Sequence, residues 1–164
     1  MPRQHLTTDR HPRFGSRGFT MIEMVIAVAF VGLLASFAIP SYLQSVTDAR
    51  VVKAIAEMQE IEREVKRYDR RFGTLPDSLN DIDMALEDPW GNPYYYLKYV
   101  YMGNGKPQGA RMDKNLRPVN STFDLYSAGE DGDTQAAFTA KASHDDIVRA
   151  GDGGYWGYAE DYTP

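Results

Sequence analysis

The sequence contains no cysteine. A disulfide framework, a thiolate metal site and a cysteine nucleophile are therefore excluded. It also lacks a Gly-x-Ser-x-Gly elbow and a glycine-rich phosphate cradle. Histidine is scarce, with three in all, and His5 and His11 precede the long apolar run. The third, His144, stands beside Asp145 and Asp146 in a polar stretch and reads as an exposed loop residue. No group of residues suggests catalysis, so the expectation is a protein that is not an enzyme.

What is present fits one compact domain with a long appended element in 164 residues. The net charge of −5 hides an asymmetry. Residues 1–18 carry Arg3, Arg10, Arg13 and Arg17 against Asp9 alone. From Asp124 to the end, nine acids face only Lys141 and Arg149. An acidic surface repels phosphate backbones, which argues against nucleic acid as the partner. A local acidic cluster suits a hard cation, or is a solvated face.

Met24 to Ile39 carries no charge, and only Gly32 and Ser36 in it are not apolar. Counted from Phe19, a helix over this run is about 31 Å long. That matches a hydrocarbon core of roughly 30 Å. The preceding arginines predict a cytoplasmic N-terminus, with everything after Ile39 outside. A secretory signal with Ser36-Phe37-Ala38 as the cleavage site is one reading. A plain anchor is another. Neither explains Glu23, a carboxylate at the edge of an apolar span, where ionised groups are costly and usually functional.

Arg17-Gly18-Phe19-Thr20-Met21-Ile22-Glu23 resembles the cleavage and methylation motif of type IV pilins and type II secretion pseudopilins. The resemblance implies a leader, residues 1–18, removed by a membrane prepilin peptidase between Gly18 and Phe19, with methylation of the new Phe19 amine. It implies a membrane-spanning and filament-core helix over 19–40, and a periplasmic domain over 41–164 that includes the second half of the helix. The physics of the motif stands apart from the family. A freed α-amino group has a pKa near 7.7–8.0 and is largely cationic at neutral pH. In an apolar filament core, that ammonium and Glu23 are each costly alone and tolerable as a pair. Glu23 of one subunit can thus set register by meeting Phe19 of the next. The alternative is that Glu23 snorkels to the headgroups.

Val51, Ile55, Met58, Val65, Tyr68 and Phe72 recur at helical spacing, with Ile61 or Glu62 filling the gap. They predict a helix continuing to about Phe72, capped by Gly73 and ended before Pro76. Pro40 is expected to interrupt it. Asp77–Leu86 reads as a short surface helix on Leu79, Ile82 and Leu86. Asp88-Pro89-Trp90-Gly91-Asn92-Pro93 demands a tight turn, and Tyr94–Tyr101 reads as a strand. This turn and its aromatics resemble the entry to the first strand of the major pseudopilin. The tyrosines are expected to serve core and subunit packing rather than a sugar platform. Residues 103–120 read as loop, Phe123–Ser127 as strand, Ala128–Asp146 as loop, and Tyr155–Tyr158 as a last short strand.

Ser127–Asp133 and Asp145-Asp146 resemble the calcium loop of the major pseudopilin. That resemblance implies calcium held by the Ala128 carbonyl, Asp131, Asp145 and Asp146, since calcium accepts six to eight oxygens in flexible geometry. It is no EF-hand, for Ala142 stands where that loop places its glutamate. The expected fold class is α+β, a long N-terminal helix packed on a small antiparallel sheet, pilin-like. The expected function is a structural subunit of a type II secretion pseudopilus. Its expected partners are copies of itself, minor pseudopilins, the prepilin peptidase and an assembly platform in the inner membrane. The alternative filament is a type IV pilus for adhesion, motility or DNA uptake. The third possibility is a monomeric anchored binding domain.

Overall fold

The computed structural model describes residues 18–101, 105, 107–114 and 116–164. The long helix α1 runs Met21–Phe72. Among the described residues it is followed by a 3-10 turn at Leu79–Ile82 and four strands, β1 Tyr95–Lys98, β2 Phe123–Ser127, β3 Ile147–Ala150 and β4 Tyr155–Tyr158. The strands form one sheet in sequential order, each pair antiparallel. The fold is pilin-like α+β.

Chain contacts divide the molecule between Tyr42 and Leu43. Up to Tyr42, α1 is apolar all round and almost wholly exposed, with Met21 at 87 % and Phe37 at 72 %. Pro40 lies inside α1 and does not interrupt it. A proline removes one backbone donor, and the neighbouring turns carry the helix past that loss. The helix ends as expected, with Gly73 at φ 69 and its N–H donating to the Asp69 carbonyl at 2.7 Å. A left-handed residue there satisfies a terminal carbonyl at no Cβ cost.

Beyond Leu43 the helix has one buried stripe, Ala54, Met58, Ile61 and Val65. It meets Phe123, Leu125 and Ile147 of the sheet, with Leu79 and Tyr94 completing the core. Each fully buried side chain of this size contributes about 1.5–3 kcal/mol. Both members of the gap at 61 and 62 are used. Ile61 is buried, and the Glu62 Oε1 accepts from Arg149 Nε at 2.7 Å.

Strand alternation sorts the sheet's two faces. Phe123 and Leu125 of β2 and Ile147 of β3 join the helix core, while Val148 and Ala150 join Phe138, Ala159 and Tyr162 in a second cluster. Because β3 is buried on both faces, it lacks a period-two signature. This is why Ile147–Ala150 goes unread in the sequence. The expected surface helix over Asp77–Leu86 shrinks to the turn Leu79–Ile82, in which Leu79 is buried while Leu86 stays 40 % exposed. The strand expected over Tyr94–Tyr101 covers only Tyr95–Lys98.

Arg149 is 2 % exposed and couples β3 to α1. Removing Glu62 leaves this buried guanidinium only the longer, half-exposed contact to the Asp152 Oδ1 at 3.8 Å, so much of its charge is uncompensated. Glu62→Ala is expected to destabilise the domain by on the order of 3 kcal/mol. Denaturant unfolding monitored by far-ultraviolet circular dichroism would check this, and a change near zero would show that the pair does not join the helix to the sheet.

Candidate functional site

The first candidate is the start of α1. Gly18 and Phe19 are exposed, Phe19 to 85 %. A Cβ built at Gly18 meets nothing within 4 Å, so no packing among the described residues demands glycine there. Thr20 and Glu23 form a capping box. The Thr20 N–H and hydroxyl donate to the Glu23 Oε2 at 2.7 and 2.8 Å, and the Glu23 N–H donates back to the Thr20 Oγ1 at 3.3 Å. These bonds fix the carboxylate at the helix's first turn using Oε2 alone. The spacing Thr20-x-x-Glu23 is the readable signature of this box, and the motif reading passed over it. The basic leader, apart from Gly18, lies outside the described residues.

The second candidate is the acidic loop between β2 and β3. The Asp145 Oδ2 accepts from the backbone N–H groups of Glu130 and Asp131 at 2.9 and 3.1 Å. The Asp131 Oδ1 accepts from the Asp133 N–H at 2.8 Å. Asp146 is fully buried and points elsewhere, to a salt bridge with the Arg111 Nη2. Burial pushes its carboxyl above the usual range, against the pull of the guanidinium. Asp145 and Asp146 are thus neighbours in sequence with separate partners. Among the described residues, no three His, Asp or Glu side chains gather where they could hold a metal ion. Ala128 is buried just after β2, and the side chains of Asp131, Asp145 and Asp146 do not gather into one group. In this arrangement the four residues do not fit a calcium ion. His144 has its Nδ1 3.5 Å from the Glu160 Oε2, and its side chain is 45 % exposed.

The third is the turn before β1. The Asp88 Oδ1 accepts from the N–H groups of Trp90 and Asn92, both at 2.9 Å. Gly91 takes φ 92, which favours glycine. The Asp88 Oδ2 accepts from the Ser127 hydroxyl, and the Asn92 amide donates to the Gly129 carbonyl at 2.9 Å. The turn therefore braces the acidic loop. The tyrosines that follow are packing residues. Tyr94 donates to the Glu57 Oε2 at 2.7 Å and Tyr99 to the Asp124 Oδ1 at 2.6 Å. Burial and those carboxylates hold both phenols far above their usual range. They remain neutral donors.

Comparison with known proteins agrees with this architecture. The chain is 27 % identical over 122 residues to the type II secretion system core protein G of Pseudomonas aeruginosa, covering 70 % of this chain and 84 % of that protein. It is 27 % identical over 143 residues to a fimbrial protein of Neisseria meningitidis serogroup B, covering 82 % and 83 %. A type IV major pilin protein of Neisseria gonorrhoeae is 33 % identical over 89 residues, covering 54 % of this chain and 53 % of that protein. This chain is pilin-like. No family model and no solved structure matches it. The relatives are secretion-system core proteins and pilins, and the pilin-like chain is not an enzyme.

Sequence reasoning missed Arg111, whose partners lie 23 and 35 residues away. No local pattern signals such a pairing. It also missed the role of Gly129, at φ 67, where a Cβ would lie 2.3 Å from the Asp145 carbonyl oxygen. At Gly91 a Cβ meets open space. Gly129→Ala is expected to cost about 2–4 kcal/mol through strain and overpacking, and Gly91→Ala about 1–2 kcal/mol through strain alone. Thermal melting of the two variants would check the order. Equal losses would show that the Gly129–Asp145 approach does not constrain the loop.

Proposed function

We propose that this chain is a structural subunit of a type II secretion pseudopilus, assembled through its N-terminal helix to help export folded proteins. One observation carries the reading. From Met21 to Tyr42 the helix exposes apolar side chains on all sides, with Glu23 as its one charge. Such a surface needs an apolar surround. The helix is long and apolar enough to cross a membrane, and a bundle of identical helices supplies the same environment in a filament. The bilayer holds the subunit before assembly, with the domain periplasmic, and other copies hold it afterwards.

In this reading the prepilin peptidase cuts after Gly18, and the new Phe19 amine, methylated, lies one helical turn from Glu23. The capping box engages Oε2 within the subunit, and Oε1 is directed to the ammonium of a neighbouring subunit. Pairing lowers the cost of each charge in an apolar core. An inner-membrane platform and minor pseudopilins complete the apparatus. The lack of cysteine favours the secretion filament over a surface pilus closed by a disulfide. The second reading, a type IV pilin, is supported by the similarity to the Neisseria proteins.

N-terminal mass spectrometry of the membrane fraction is expected to find Phe19 first and methylated. A mature chain beginning at Ile39 would establish secretory cleavage instead. Glu23→Ala is expected to insert in the membrane yet give few or no filaments when the assembly machinery is supplied. Wild-type filament yield from that variant, by electron microscopy of sheared fractions, would rule out the pairing with Phe19.

A further inference from the structure

The Ala128–Asp146 loop is supplied with a cation by another part of the chain. Arg111 is 3 % exposed and enters from outside the loop. Its Nη2 donates to the Asp146 Oδ2, its Nη1 donates to the Thr134 Oγ1 at 2.6 Å, and the Thr134 hydroxyl donates to the same Asp146 Oδ2 at 2.7 Å. The guanidinium lies over the Tyr126 ring at 4.2 Å and near the Phe138 ring at 5.1 Å. Its backbone N–H donates to the Asp124 Oδ2 at 2.7 Å. One residue thus ties together β2, the middle of the loop at Thr134 and Phe138, and the loop's end at Asp146.

We propose that the Arg111 guanidinium serves as the built-in cation that closes this loop, in place of a bound divalent metal. The charge balance supports it. Asp146 has a permanent cation as partner, because arginine stays protonated throughout the accessible pH range. Asp145 and Asp131 have backbone N–H groups as partners, which satisfy carboxylates without a metal. A divalent ion at Asp146 would stand beside a buried positive charge and be repelled by it. Asp146 Oδ1 and Arg111 Nε are both buried without a protein hydrogen-bond partner, so Asp146 Oδ1 is the atom by which a metal would compete. The planar fork matters as much as the charge, since two of its nitrogens reach two different oxygens while its faces pack on aromatic rings. A tether made of covalent chain cannot dissociate, so the loop stays closed whatever the free calcium concentration.

The full chain in detergent micelles would be melted with excess calcium chloride and with EGTA. The expected result is the same melting temperature in both. A rise of several degrees with calcium, as binding to the folded state alone would produce, would overturn the proposal. Arg111→Lys keeps the charge but loses the fork, and is expected to melt well below wild type. A lysine variant as stable as wild type would also overturn it. Because Arg111→Gln leaves Asp146 buried without its guanidinium partner, the double variant Arg111→Gln/Asp146→Asn is measured beside it. The double variant is expected to melt above Arg111→Gln. A double variant whose loss is the simple sum of the two single losses would show no coupling and refute the tether. Calcium titration of the wild-type chain needs no variant to fold, and a calcium-dependent rise there overturns the proposal whatever the variants do.

Discussion

The guanidinium of Arg149 meets the carboxylate of Glu62 between helix and sheet, and the rest of the domain is arranged around that contact. It lies on the helix-facing side of β3, over the Phe123 ring at 4.2 Å. Its Nη1 donates to the Phe123 carbonyl at 3.2 Å. The apolar stripe of α1 supplies most of the stabilisation but has no direction of its own, since hydrophobic burial is roughly proportional to area. The ion pair and its aromatic lid fix which turn of the helix faces which strand. The Asn120 amide extends the same network, donating to the Arg149 carbonyl at 3.0 Å and to the Asp124 Oδ1 at 2.9 Å.

Arg111 and Arg149 solve the same problem on opposite faces of the sheet. Each is almost wholly buried, paired with a carboxylate and covered by an aromatic ring. Burying a lone charge is very costly, so each needs its acid. In a chain without cysteine, these two pairs cross-link segments far apart in sequence. The first half of α1 obeys another rule. It has no such internal partners, and its apolar surface is available to lipid or to other helices.

The periodicity at Val51, Ile55, Met58 and Val65 revealed the amphipathic part of α1, and Gly73 marked its end. Alternation in Phe123–Ser127 and aromatic content in Tyr155–Tyr158 revealed two strands. Pro40 misled because a proline's local cost is small against a helix of 52 residues. Leu79 and Ile82 suggested too long a helix because a 3-10 turn shares the spacing of three. The acidic loop was legible as a cluster of carboxylates. The partners of those carboxylates were not, because an aspartate facing a metal and an aspartate facing an arginine are the same letter.

What the sequence alone determined is what depends on near neighbours along the chain: the apolar run, Glu23 one turn from Phe19, and the helix with its cap. Dihedral preferences and side-chain periods act over a few residues, so a string of letters carries them. What only the tertiary structure decided is what each charge faces. Asp145 and Asp146 part company because successive residues point in different directions, one to the backbone of Glu130 and Asp131, the other to a guanidinium 35 residues upstream. Whether a cluster of acids binds an ion depends on where their oxygens converge in space, and adjacency in the chain does not determine that.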